Sequence, residues 1–403
     1  MDFTRNSLFY HENDLCMLSN GAPLALKNIC LESEHPVYLY NTDTIIKRVE
    51  AYKSAFSNLN THIHFAVKSN PNLDVLRLVK SLGCGADVVS IGEFNHSLEA
   101  GFNAKEIIFS GVGKTKLEIK EALSKKVKQI NCESLSEIKR VAKIAKSLNL
   151  EARIGVRINP DISVKTHPYI ATGFRENKFG IPLGQVPELI KILDQSNEVL
   201  KLVGLSCHIG SQIMESEPLV KATKSLLKLS EEIKAKGYRV ESLDIGGGLG
   251  VDYQSDNEDK DIEAIMNFGH LVTEALRPFD GEVCLEPGRS IVARSGVLLA
   301  RVEYVKSNGF KNFIVLNTGM HHLMRPSLYQ AYHKIIPIKL SDSKIENFDV
   351  VGPICESADV LGYDRGLPRP EEDDWMAILD AGAYGISMVS GYNKHPNPTE
   401  VLV

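Results

Sequence analysis

Between residue 37 and about residue 290, eight short apolar runs rich in β-branched residues alternate with amphipathic stretches of helical length. The runs are HIHFAVKSN, GADVVS, EIIFSG, VKQINCES, ARIGVRINP, LVGLSCHIGS, SLDIGGG and EVCLEPGR. Between them, LDVLRLVKSLG sets Leu73, Leu76, Val79 and Lys80 at spacings of three and four. SLSEIKRVAKIAKSLN and PLVKATKSLLKLSEEIKAKG follow the same scheme, and the latter closes on a glycine suited to a helix C-terminus. Alternation of strand and helix implies parallel pairing, because parallel neighbours need a crossover. Eight such units in about 250 residues match a closed (β/α)8 TIM-like barrel in count and length. An open doubly wound sheet is the competing α/β arrangement.

The position of the polar residues favours the barrel. Each run is apolar first and then ends in Lys68, Asp87 with Ser90, Ser110, Asn131 with Glu133, Arg157 with Asn159, His208 with Ser211, Gly246 to Gly248, or Glu286 with Arg289. Barrel enzymes carry their chemistry at strand C-termini. After residue 290 the pattern changes. VLLARVEYVKSNG, KNFIVLNTG, HKIIPIKL, NFDVVGPICES and DWMAILDAG are β-like runs divided by Gly, Pro, Asn and Asp, with little helical periodicity. The expected organisation is a barrel over 37–290 and a mostly β domain over 291–403. The N-terminal segment 1–36 contributes to that β domain, and the run VYLYN can supply it a further strand.

A net charge of −5 gives no basic footprint, which argues against nucleic acid as the main partner. No apolar run of about 18 residues appears, so no membrane span is expected, and the first residues carry no signal-peptide pattern. Seven cysteines are scattered without a CxxC pair, which fits reduced thiols in a cytoplasm better than a disulfide framework or a zinc site.

Most lysines are solvated surface residues. Lys68 differs in following an apolar strand directly, with acid, imidazole and glycines at the other strand ends. A desolvated lysine loses part of its preference for the charged form, so its amine becomes a nucleophile toward an aldehyde. A Schiff base with pyridoxal 5'-phosphate requires that behaviour. The triplet Gly246 to Gly248 lets backbone N–H groups approach a phosphate. Glu286 is a candidate to keep a pyridine nitrogen protonated, and Arg289 to hold a phosphate or carboxylate bidentately. His208 is placed to lie flat against a ring; a buried structural histidine is the ordinary alternative.

In chain order, FAVKSN, GADVVSIGE, FSGVGK, RINP, THPYIATG, NKFG, HIGSQ, DIGGGLG, EPGRSIVA, MRPSLY, GPICESADVLG and DAGAYG resemble the bacterial diaminopimelate decarboxylases. These belong to the alanine-racemase-like, fold type III class of pyridoxal-phosphate enzymes, and the likeness spans about residues 37 to 403. It implies decarboxylation of meso-2,6-diaminopimelate to L-lysine and CO2. The alternative is a related amino-acid substrate such as ornithine, lysine, arginine or carboxynorspermidine. The resemblance implies that Lys68 binds the cofactor covalently, His208 stacks on its ring and Glu286 pairs with its nitrogen. It assigns Asp87, Ser211, Gly248, Gly288, Arg289 and Tyr384 to cofactor binding. Arg289, Arg325, Tyr329, Glu356 and Tyr384 would line the substrate site, with Arg325 on the distal carboxylate and Glu356 on the distal ammonium. Cys355 would be the acid that protonates the carbanion carbon. The resemblance also implies a homodimer in which Cys355 and Glu356 cross into the partner's site. Two stretches depart from the family's form. NTGMHHLMRP lacks its usual aspartate and alanine, and SGYN has Gly391 where Asn is usual. The adjacent His321 and His322 invite a metal reading, but neighbouring side chains point apart on regular elements, so no metal is expected.

Overall fold

Each apolar run forms a strand in the computed structural model, which describes residues 3–163, 166–170, 172–173 and 177–403. Ala171 of the THPYIATG stretch lies outside the described residues. The strands are β1 (Thr61–Ala66), β2 (Gly85–Val88), β3 (Ile107–Phe109), β4 (Gln129–Cys132), β5 (Ala152–Asn159), β6 (Leu200–Ser206), β7 (Ser242–Asp244) and β8 (Glu282–Leu285). All pair in parallel. β8 meets β1 with Val283 opposite Thr61, and β4 meets β5 with Ile130 opposite Ile154, so the sheet closes on itself. That closure decides for the barrel over the open sheet.

Side-chain caps set where the intervening helices begin. Asn72, Ser90, Thr115 and Ser134 each accept a first-turn N–H, opening Leu73–Ser81, Ile91–Glu99, Lys116–Ser124 and Leu135–Leu148. In Leu73–Ser81 the buried face is Val75, Leu76 and Val79. Leu73 is only half-buried and Lys80 is exposed, because the inward stripe is centred on the pair Val75 and Val79. The last long crossover helices are Ser216–Lys234, with Gly237 just beyond it at φ +92, and Asp259–Leu276.

The barrel interior is unusual in being polar where branched apolar layers are the rule. Gln129 and Asn131 on β4, and Ser242 and Asp244 on β7, are all buried. Room for them comes from a missing side chain: a Cβ on Gly155 of β5 would collide with Asn131 Oδ1 and lie 2.6 Å from Gln129 Nε2.

The barrel strands fall in one compact unit, Val49–Gly250 with Ile262–Gly288; the second is Met1–Arg48, Val251–Asp261 and Arg289–Val403. Residues 37–48 group with this second unit because Val37–Tyr40 pairs antiparallel with the first half of Gly296–Ser307. Trp375–Ile378 pairs with the same half, and Asn312–Leu316 with the second half. The sheet continues through Ile345–Val351 to Val360–Pro368. The N-terminal meander Leu8–His11, Asp14–Ser19 and Ala22–Ala25 packs Leu8, Leu15 and Met17 into one core with Val37, Leu39, Val297 and Leu299. Each such side chain contributes about 2 kcal/mol on burial, so residues 3–36 are structural to this unit. Three buried arginines of the unit have aspartate partners: Arg5 with Asp380 at 2.6 Å, Arg48 with Asp261 at 3.3 Å and Arg294 with Asp261 at 2.7 Å.

Candidate active site

β1 stops at Ala66, and a single 3-10 turn, Val67–Ser69, carries Lys68 to the rim. Ser69 Oγ donates to Ala66 O, and the Ala66 N–H donates to Pro287 O, which ties the turn to the segment after β8. Gly288 permits that approach, since a Cβ there would lie 2.7 Å from Ser69 Oγ. Lys68 Nζ stands 2.8 Å from Asp87 Oδ2. Burial pushes the Asp87 carboxyl up, but Lys68, Ser110 and His208 outweigh it and hold the group below its ordinary value. The lysine side chain remains 35% exposed and faces a cavity of ≈ 400 Å³, lined also by Ser110, Asn131, Arg157, His208 and Glu286.

His208 and Glu286 are tuned in opposite senses. The Gly247 N–H donates to His208 Nδ1 at 3.3 Å, so that nitrogen is an acceptor. Burial, then Arg157 and Lys68, push the imidazole down to about 3, and it is neutral at physiological pH. Burial, then Asp244 and Asp87, push the Glu286 carboxyl well above the usual range. Ser110 Oγ donates to Glu286 Oε1 at 3.4 Å, and Asn131 Nδ2 to Ser110 Oγ at 3.2 Å. Arg157 is occupied by Glu133 at 3.0 Å and lies over the Phe179 ring at 4.8 Å. Glu133 also accepts the Gly180 N–H, so one carboxylate binds both the RINP and NKFG stretches. In the glycine triplet, the Gly246 and Gly247 N–H groups go to Asp244 Oδ1 and His208 Nδ1. The Ser211 N–H goes to Ile170 O.

The second unit gathers the arginines. Arg289 Nη1 donates to the Tyr253 hydroxyl at 3.0 Å, and its guanidinium lies 4.8 Å from the Tyr384 ring centroid. Tyr384 sits at φ 56, a left-handed conformation costly for a side chain with a Cβ. Arg325 opens the helix Arg325–Tyr329 and faces Tyr253 at 4.4 Å. Its Nη1 donates to His333 Nε2 at 2.7 Å, while its buried Nε has no partner. His333 Nδ1 donates to Leu379 O, and burial with Arg325 nearby keeps the ring neutral. Among the described residues Arg325 makes no ion pair. Tyr329 interacts electrostatically with Arg289.

Cys355 and Glu356 are exposed. Asn393 Oδ1 accepts the Cys355 N–H at 3.3 Å, and the Tyr392 hydroxyl donates to Glu356 Oε2 at 2.9 Å. The buried Asp359 accepts from Met320 N–H at 2.5 Å and Ile354 N–H at 2.7 Å, joining the GPICES loop to the NTGMHH turn. The expectation that His321 and His322 point apart is corrected. They lie in a turn, not on a regular element, and their ring centroids are 3.7 Å apart. His322 is committed to Thr318 and Pro396, and among the described residues no group of His, Cys, Asp or Glu forms a metal cluster. At Gly391 a Cβ would meet open space, so the departure there removes no packing.

Sequence reasoning missed Asp244, Tyr253 and His333. Asp244 had a legible signal, since it ends β7 directly before the glycine triplet, as the other polar residues end their strands. Tyr253 reaches Arg325 across the sequence, and His333 follows it closely but lies beyond the helix that Arg325 opens, so neither carries a local signal. A larger cavity of ≈ 530 Å³ in the second unit, lined by Asp14, Lys27 and Trp375 among others, contains none of the candidate residues.

Residues 42–293 match the profile described as pyridoxal-dependent decarboxylase, pyridoxal binding domain. The diaminopimelate decarboxylase of Aquifex aeolicus is 40% identical over 94% of this chain and 89% of its own length. The crystal structure of diaminopimelate decarboxylase from Helicobacter pylori complexed with L-lysine is 40% identical, with a TM-score of 0.88 over 94% of this chain and 93% of that one. The enzyme of M. jannaschii in co-complex with L-lysine is 32% identical with a TM-score of 0.90, covering 100% of this chain and 93% of that one. The chain belongs to the diaminopimelate decarboxylase family.

Proposed function

We propose that this chain removes CO2 from meso-2,6-diaminopimelate to give L-lysine, with pyridoxal phosphate as cofactor. The residues at the barrel end suit that group. Lys68 offers an amine at the cavity rim, with the Asp87 carboxylate 2.8 Å away to hold or accept its proton. Ser206 Oγ, on the cavity wall, is buried without a hydrogen-bond partner among the described residues, as fits a pocket made for a polar ligand. Glu286, crowded by Asp244 and Asp87, ionises readily only beside a new cation, and a protonated ring nitrogen is one. Neutral His208 suits stacking on a ring. Gly248, the triplet member next to two N–H groups already engaged, holds the phosphate with Gly288, Ser211 and Arg289, and Tyr384 backs the arginine. When bound, the cofactor supplies an aldehyde for the substrate amine and a cationic ring that draws off the electrons left as CO2 departs.

Arg325 carries the substrate assignment. The buried Arg5, Arg48 and Arg294 of the same unit each have an aspartate, whereas Arg325 has an aromatic face and a neutral histidine. A guanidinium cannot shed its charge, so a buried one lacking a counter-ion suits an incoming anion. Diaminopimelate brings a second carboxylate for Arg325 and Tyr329; ornithine and lysine bring none. Arg289 serves the cofactor phosphate and the substrate carboxylate side, and Glu356 pairs with the distal ammonium. The Cys355 thiol gives its proton to the carbon that has lost CO2. Cys355 and Glu356 act in the site of a second copy, so the enzyme is a homodimer with shared sites. Their exposure in the single chain supports this reading. We place the enzyme in the cytoplasm, in keeping with its free cysteines; among the described residues no helix is long and apolar enough to cross a membrane.

The test is CO2 and L-lysine release from meso-diaminopimelate by cofactor-saturated protein. Absence of turnover overturns the reading, and faster turnover of ornithine or lysine overturns the substrate.

A further inference from the structure

β7 and β8 run side by side, and an acid stands at the end of each. Asp244 is the last residue of β7 and fully buried; Glu286 is the residue after Leu285, the end of β8. The Glu286 N–H donates to Gly246 O at 2.8 Å, and Ser110 and Asn131 join the two carboxyls, which stand close enough to raise each other's hold on a single proton. The hydrogen bonds to the pair come from neutral groups. The Gly246 N–H meets Asp244 Oδ1 at 2.9 Å, Asn131 Nδ2 meets Asp244 Oδ2 at 3.4 Å, and Ser110 Oγ meets Glu286 Oε1 at 3.4 Å. Asn131 is itself fixed by Gln129 Nε2 at 2.7 Å, in the space that Gly155 leaves. The charged neighbours do not balance the pair. Asp87 on β2 adds repulsion, Lys68 is drawn to Asp87, Arg157 on β5 is held by Glu133, and His208 is neutral. The thiols of Cys207 and Cys284, also close by, are pushed up by burial and stay protonated. Two adjacent acids with no cation of their own hold a proton between them.

We infer that Asp244 is a positioning residue that keeps a proton on Glu286 until a basic ring nitrogen binds opposite it, so that the nitrogen is protonated from inside the barrel. The inference rests on the reading of Glu286 as the partner of the cofactor nitrogen. The step balances: the Glu286 O–H bond breaks, the proton joins the nitrogen lone pair, and the resulting carboxylate faces the cation it has made. Asp244 keeps its hydrogen bonds from Gly246 and Asn131 throughout. Its charge raises the proton affinity of Glu286 before binding and helps hold the cationic ring afterwards.

Carbon-13 NMR of the full chain labelled at Asp and Glu carboxyls, freed of cofactor and then saturated with pyridoxal phosphate, tests this. Cofactor-free wild type should show one carboxyl signal still protonated at neutral pH and absent in Glu286→Gln. In Asp244→Asn that signal should titrate lower by about one pH unit or more. In wild type it should move to its ionised position when cofactor binds. A Glu286 signal already ionised at neutral pH in cofactor-free wild type overturns the inference, as does an Asp244→Asn titration identical to wild type. Should Asp244→Asn not fold, the wild-type titration decides alone. A signal that stays protonated while cofactor absorbance shows full occupancy overturns the proton transfer and leaves the functional reading standing. Absence of cofactor absorbance marks failure of the functional reading and overturns the transfer with it, while the cofactor-free titration still reports the shared proton.

Discussion

The barrel end and the arginine cluster carry opposite electrical imbalances and live with them differently. At the barrel end, Asp87 holds the Lys68 amine and adds its charge to that of the adjacent Asp244 and Glu286. Carboxyls escape such crowding by holding protons more tightly: Asp244 is pushed up to about 6, chiefly by burial, and Glu286 well above the usual carboxylate range. Around Arg325 that escape is closed, because a guanidinium keeps its charge. The second unit instead surrounds it with the Tyr253 ring and with His333, whose neutral Nε2 accepts from it. An acid-rich site can stand ready by changing protonation, whereas a cationic one must be cushioned until an anion arrives.

The sharpest way to break this contrast is at the barrel end. Lys68→Ala should abolish the cofactor's imine absorbance and lower turnover by about 10³-fold or more, read by spectrophotometry and CO2 release. A variant that kept the band would move the covalent site elsewhere. Next in size, Cys355→Ala should keep the cofactor spectrum and slow lysine formation by about 10²-fold, the scale of a lost general acid. Full turnover in that variant would remove the thiol from the proton step. On the cationic side, Arg325→Met should raise KM for meso-diaminopimelate by roughly thirtyfold, the worth of about 2 kcal/mol from a charge-assisted hydrogen bond. Its effect on any slow turnover of ornithine should be small. Equal losses on both substrates would mean that Arg325 does not read the distal carboxylate.

The smallest effect is on stability. Burial first, then neighbouring imidazoles, pushes His322 down to about 3; an unfolded histidine titrates near 6.5. Between those values the unfolded chain binds a proton that the folded one refuses, so the contribution is complete above about 6.5 and is lost as pH falls toward 3. His322→Gln should soften the acid limb of a denaturation profile by about 1 kcal/mol between pH 6.5 and 5. An unchanged limb would show that His322 titrates normally in the folded chain.

Much of the barrel was legible because two signals coincide: a buried parallel strand reads as a short apolar run, and its reactive end reads as polar punctuation. Lys68, Asp87, His208 and Glu286 all carried that mark. The second unit was harder. Val360–Pro368 is a strand of nine residues, yet LGYDRGLP looks like a loop, since Tyr363, Asp364 and Gly366 are exposed on it beside Ile345–Val351. The N-terminal meander shows its purpose only once Leu15 and Met17 meet Val297 and Leu299. The adjacency of His321 and His322 depended on a turn that side-chain alternation does not describe. The Asp244–Glu286 pair depended on β7 pairing with β8, which sets the two strand ends side by side, and neither run shows that alone.

Asp359 has a consequence for anyone comparing chains of this kind. Its two oxygens fasten Met320 and Ile354 by their backbone, with Gly319 and Gly352 pressed against it. The thiol-bearing loop is therefore steered from four residues downstream and has little slack of its own. A descendant that lost this one carboxylate would keep Cys355 and Glu356 and still score as intact by motif, yet carry them on a loop with its tie to the neighbouring turn cut.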